Sequence, residues 1–191
     1  MWEPFWLAFV LLFVAFDAPG VLPFYWALAQ GQPARQRRKA VHQAVLVAFV
    51  VALAFLWLSE QVFRFMGIQM PDVMIAGGLI LFALALRDLL MPEKAIAASV
   101  EPIGVVPLGV PLLVGPAVLT TALLAYQRYG LWPTVWAIGV NVLVSWAMLL
   151  AADELMERVG RDGARVVSKV FGLVLAAFAV MLVREGISAL R

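Results

Sequence analysis

Phe5 to Ala29 reads FWLAFVLLFVAFDAPGVLPFYWALA, twenty-five residues with one charge, Asp17, at the thirteenth place. A helix of that length crosses the hydrocarbon core of a bilayer. Its middle, however, is Asp17-Ala18-Pro19-Gly20-Val21-Leu22-Pro23. Proline withholds a backbone donor and clashes with the preceding turn, and glycine loosens a helix further. Two prolines and a glycine within five residues predict an interrupted helix rather than a bent one. Non-helical backbone at mid-membrane is tolerated only where protein covers it or where it lines a cavity. The stretch therefore predicts a membrane protein with an internal site.

The rest of the chain fits that solvent. Of its 191 residues 64% are hydrophobic and only 14% charged, and the mean hydropathy is +0.97. A soluble domain is nearer half apolar and a quarter charged. Further apolar runs at Val41–Ser59, Val73–Leu90, Ile103–Tyr126, Leu131–Ala152 and Val166–Leu190 make six expected spans. Met1-Trp2-Glu3 lacks the basic start of a signal peptide, so the first run is expected to be retained as a span. Trp2, Trp6, Trp57 and Trp132 fall near span ends, as interfacial anchors do.

Lys and Arg are distributed unevenly between the connections. Arg35, Arg37, Arg38, Lys39, Arg87, Lys94, Arg158, Arg161, Arg165 and Lys169 fall in the first, third and fifth. Only Arg64, Arg128, Arg184 and Arg191 fall on the opposite side. Positive connections stay cytoplasmic, so both termini are expected outside, periplasmic or extracellular. The same clustering explains the net charge of +2 without a nucleic-acid face.

A shift of 97 residues brings the chain into register with itself. Pro19-Gly20-Val21-Leu22 falls on Pro116-Ala117-Val118-Leu119, Val45-Leu46-Val47 on Val142-Leu143-Val144, Glu60 on Glu157, and Arg87-Asp88 on Arg184-Glu185. The expected fold is one all-α membrane domain over residues 1–191, with repeats at about 1–92 and 100–191 and a cytoplasmic linker between them. Each repeat holds three spans, an odd number, so the two enter the membrane from opposite sides. Such inverted repeats are common in secondary transporters.

The fourth span repeats the disruption of the first with Pro107, Pro111, Gly115 and Pro116. Two breaks at matching repeat positions outweigh the plain proline kink that a single one would suggest. A half-helix N-terminus offers N–H groups to a carboxylate, and a half-helix C-terminus offers carbonyls to an ammonium or a cation. The candidate binding residues are Asp17, Pro19, Gly20, Pro23, Gly115, Pro116, Thr120 and Thr121. Asp17 serves a substrate amine, a proton, or the capping of the next half-helix. Gly77, Gly78 and Asn141 are secondary candidates, with helix packing and interhelical hydrogen bonding as their ordinary roles; Gly172 and Ala176 read as packing positions. There is no cysteine, His42 is the one histidine, and no nucleophile or phosphate-loop motif appears. Neither an enzyme nor a metal or other cofactor is expected.

Asp17-Ala18-Pro19-Gly20-Val21-Leu22-Pro23-Phe24 and Val106-Pro107-Leu108-Gly109-Val110-Pro111-Leu112-Leu113-Val114-Gly115-Pro116, followed by Thr120-Thr121, resemble motifs of the MarC family, also described as neutral amino acid transporters. Ile75-Ala76-Gly77-Gly78-Leu79-Ile80-Leu81-Phe82 and the last span from Gly172 to Ile187 resemble it too, so the likeness covers the whole chain. It implies six spans, residence in a bacterial inner membrane and, in some members, carriage of small neutral amino acids such as glycine, alanine or serine; a coupling proton or sodium ion is a further partner to expect of a secondary transporter. Export is one direction such carriage takes. A passive water or small-solute channel and a membrane protein without transport activity are the alternatives. The family motif places Pro directly after the Asp and Asn before Leu-Pro, where this chain has Ala18 and Val21. It often has Gly at Ala117 and Gln at Met181. The expected cavity is correspondingly less polar.

Overall fold

The computed structural model describes residues 2–29, 31–90 and 113–190. Among them every regular element is helical: α1 (Glu3–Phe16), α2 (Ala18–Ala29), α3 (Ala34–Met66), α4 (Met70–Leu90), α5 (Pro116–Tyr129), α6 (Leu131–Leu150) and α7 (Ala152–Ala189). Five stretches are long and apolar enough to span a bilayer: Glu3–Pro23, Ala34–Phe63, Met70–Arg87, Leu131–Leu150 and Val166–Ala189. Of the expected fourth span, α5 is seen from Pro116 onward, whereas residues 103–112, with Pro107 and Pro111, lie outside the described residues.

The apolar side chains face outward as well as inward. Leu46, Val50, Leu143 and Leu173 are all more than half exposed. In water such surface would drive aggregation, whereas lipid solvates it. Trp2 and Trp132 are also largely exposed at the starts of α1 and α6, where indoles meet the headgroups; Trp57 is as exposed but lies nine residues before the end of α3.

Two helices exceed the expected spans. α3 starts at Ala34, inside the basic connection, and α7 starts at Ala152 and includes most of the fifth connection. Arg, Lys, Gln and Glu are good helix formers, so a charged run after a turn continues a helix above the membrane plane. α7 is not continuous: Gly160 has φ 72°, ψ 167° and separates a short proximal segment from the long apolar one. Gly31, Gly67 and Gly130 also have positive φ, at the other turns.

The helices of α1–α4 pack chiefly on α5–α7 rather than on one another. α1 lies on α5 and α6, α2 on α7 and α6, α3 on α6 and α5, and α4 on α7 and α5. The α4–α7 pair is antiparallel and the most extensive. A Cβ on Gly186 would lie 2.7 Å from Ile75 Cγ1 and 2.9 Å from Pro71 O. One on Gly78 would lie 2.8 Å from both Ala179 O and Val183 Cγ2, and one on Gly172 3.3 Å from Leu89 Cδ2. Small residues let backbones approach this closely where no hydrophobic force drives helices together.

Two ion pairs close opposite ends of the bundle. Arg37 of α3 meets Asp153 at the start of α7 at 2.8 Å, and Arg128 at the end of α5 meets Glu185 near the end of α7. The twenty-residue α6 separates the two ends by about 30 Å. Arg37–Asp153 also places the first and fifth connections at one end of the bundle.

Candidate functional site

The first break is narrower than the sequence suggests. α1 stops at Phe16, only Asp17 leaves the helical conformation (φ 46°, ψ 42°), and α2 begins at Ala18. The backbone recovers at once because the prolines are placed where they cost little. Pro19 occupies the second helical position of α2, where an N–H has no intrahelical partner in any case. Asp17 O accepts the Val21 N–H at 2.9 Å, and Asp17 Oδ1 accepts the Gly20 N–H at 3.2 Å. The carboxylate thus caps α2, one of the roles expected of it. Gly20 is required beside it, since a Cβ there would overlap the Asp17 carboxylate. Pro23 is buried inside α2, where it leaves the carbonyl one turn earlier without its usual N–H donor.

The second break ends at α5. Gly115, which has no side chain to cap with, is extended (φ −99°, ψ −175°), and Pro116 opens the helix. The two breaks therefore differ at the capping position: Asp17 takes an amide at the start of α2, whereas Gly115 has no side chain with which to take one at the start of α5. Phe16, Val21 and Leu22 beside the first break, and Leu113, Val114 and Val118 beside the second, belong to one buried cluster.

Thr120 and Thr121 lie one turn into α5, and both are buried. Thr120 sits over Gly77, where a Cβ would fall inside the threonine side chain. Gly77 thus brings α4 against the helix that follows the second break, while its neighbour Gly78 packs on α7. Asn141 is 1% exposed; its Nδ2 donates to Phe9 O at 3.2 Å and Ala137 O at 2.9 Å, tying α6 to α1. Both donors go to carbonyls, which can only accept, so the amide orientation is fixed and Oδ1 faces away from them. Asn141 Oδ1 and Thr121 Oγ1 are buried with no partner among the described residues. A buried polar atom without a partner costs about 1–3 kcal/mol, so these oxygens are suited to a polar guest.

His42 is engaged locally, its Nδ1 lying 2.6 Å from Arg38 O and its ring against Trp146. Among the described residues no group of three or more His, Cys, Asp or Glu converges as a metal site would require. Sequence reasoning did not single out the Arg37–Asp153 and Arg128–Glu185 pairs; their partners are far apart in the chain, and only the fold joins them.

Five helical stretches long and apolar enough to cross a bilayer, with apolar surface turned outward, define a polytopic integral membrane protein. The model of the MarC family integral membrane proteins matches residues 2–190, and the chain belongs to that family. It is 29% identical over 195 residues to a UPF0056 membrane protein of Methanocaldococcus jannaschii, covering 96% of this chain and 95% of the relative. It is 28% identical over 188 residues to the UPF0056 inner membrane protein YhgN of Escherichia coli, covering 94% of each. No solved structure matches the chain.

Proposed function

We propose that this protein is a secondary transporter of small neutral amino acids such as glycine, alanine or serine, working by alternating access between two inverted halves in the inner membrane. One observation carries the proposal: the break between α1 and α2 and the start of α5 are bordered by residues of one buried cluster, with opposite chemistry on offer. The start of α5, whose cap residue Gly115 has no side chain, presents amides and positive dipole character to the solute carboxylate. The last carbonyls of α1 and the Asp17 carboxylate attract its ammonium. Thr121 and Asn141 supply further oxygens to the solute or to a coupling proton or sodium ion.

The α4–α7 seam supports the inverted halves. Advancing by 97 residues turns Ile75 into Gly172 and Leu89 into Gly186, so the contact Ile75–Gly186 maps onto Gly172–Leu89, which is also made. The two contacts are mates about an axis crossing the seam, with large and small residues exchanged. The non-helical positions follow a similar spacing: Asp17 with Gly115, Gly31 with Gly130, and Gly67 with Gly160. Under this proposal the basic end of the bundle faces the cytoplasm and both termini face outward.

Purified protein in proteoliposomes tests the function. Saturable uptake and counterflow of glycine, alanine or serine is the expected result. No flux of any of them rejects the proposal, and flux rising linearly without counterflow would mark a passive pore.

A further inference from the structure

Apart from the residues around the breaks, the α4–α7 pair carries a groove of about 420 Å³ between Leu79 and Phe82 of α4 and Val180, Val183 and Ile187 of α7. Leu79, Phe82, Val180 and Ile187 are exposed, so in a bilayer the groove faces lipid tails. Its walls belong to a closely packed pair: Val183 also abuts Gly78 on the inner side. The groove is thus preformed, and a chain entering it loses little to reorganisation of the protein.

Arg184 is the groove's one charged lining residue. It is exposed and has no ion-pair partner among the described residues. Ser188 Oγ donates to the Arg184 carbonyl, the neighbouring Glu185 pairs with Arg128, and Asp72 at the same end of α4 accepts the Gln69 N–H at 2.9 Å. Arg184 lies five positions before the end of α7 at Ala189, about 8 Å along the axis. A guanidinium on a long stem reaches the headgroup layer from that depth. Unpaired charge beside an apolar furrow selects an amphiphile with a negative head, and a guanidinium binds phosphate through paired donors.

We propose that this groove seats one anionic phospholipid, with an acyl chain along Leu79, Phe82 and Val180 and the phosphate on Arg184. The inference does not depend on the solute carried. The test is native mass spectrometry of the full chain, titrated with phosphatidylglycerol and with phosphatidylcholine of the same chain length. One phosphatidylglycerol should be retained with about a fivefold preference, the scale expected for a single basic residue at a membrane surface. Arg184→Gln should abolish the preference, Arg184→Lys should keep only the part that charge alone supplies, and Ile187→Trp should lower retention of both lipids by filling the groove. Equal retention of the two lipids by the unaltered protein overturns the proposal, and needs no variant to fold. So does a preference that survives Arg184→Gln. A dimer that Ile187→Trp splits would assign the groove to a second copy of the chain and overturn it as well.

Discussion

Asp17 bonds an N–H three residues ahead of it, and this separates two roles that its position alone leaves joined. Asparagine caps a helix as well as aspartate does but carries no charge. Asp17→Asn is therefore expected to leave thermal stability in detergent within a few tenths of a kcal/mol, while lowering amino acid flux or moving its pH profile. Asp17→Ala should cost about 1 kcal/mol in addition. Unchanged flux in Asp17→Asn across pH would confine the residue to capping. Gly20→Ala should reproduce the stability loss, because its methyl group and the capping carboxylate compete for the same space. Thr121→Val removes a hydroxyl that has no partner among the described residues, so stability should hold or rise by about 1 kcal/mol. A fall in flux or in solute affinity in that variant would place the hydroxyl at the solute. Asn141→Leu should do the opposite to stability, since α1 loses its tie to α6.

Helix boundaries were legible wherever an apolar run met a turn. The run from Phe5 to Ala29 gave both the span and the location of its break, because Asp, Gly and Pro at mid-span have few other meanings. The width of the break was not legible. Whether a proline interrupts a helix depends on where the next helix starts, and Asp17 sets that start by taking the Gly20 N–H. Pro19 thereby becomes harmless and Pro23 becomes the residue that disturbs α2. Pro23→Ala should accordingly strengthen α2, slowing amide exchange in its first turns, whereas Pro19→Ala should change exchange little. The long reach of α3 and α7 was also hidden, since a charged run reads as a connection when only hydropathy is followed. The close approach of Gly186 to Ile75 was half visible: small residues announced packing, but not against what. Substituting Val for Gly78, which meets backbone on α7, should cost about 1–3 kcal/mol in thermal unfolding by overpacking the seam.

Among the described residues neither group of helices has much of a core of its own, because α1–α4 spend their contacts on α5–α7. The order of synthesis therefore matters. At about 5–20 residues per second, the first three spans leave the ribosome several seconds before the last of their packing partners is made. During that wait they are solitary passengers in lipid, where an unsatisfied polar group is costly. The carboxylate of Asp17 is the gravest risk among them, and it takes an N–H from its own chain three residues away, a bond that can form before the second half is made. Residues 1–92 produced alone should insert yet be degraded, and co-production of residues 93–191 should protect them, read by their half-lives in a pulse-chase. The bond that starts α2 then acts first as an escort for a nascent chain, and only afterwards as part of a site.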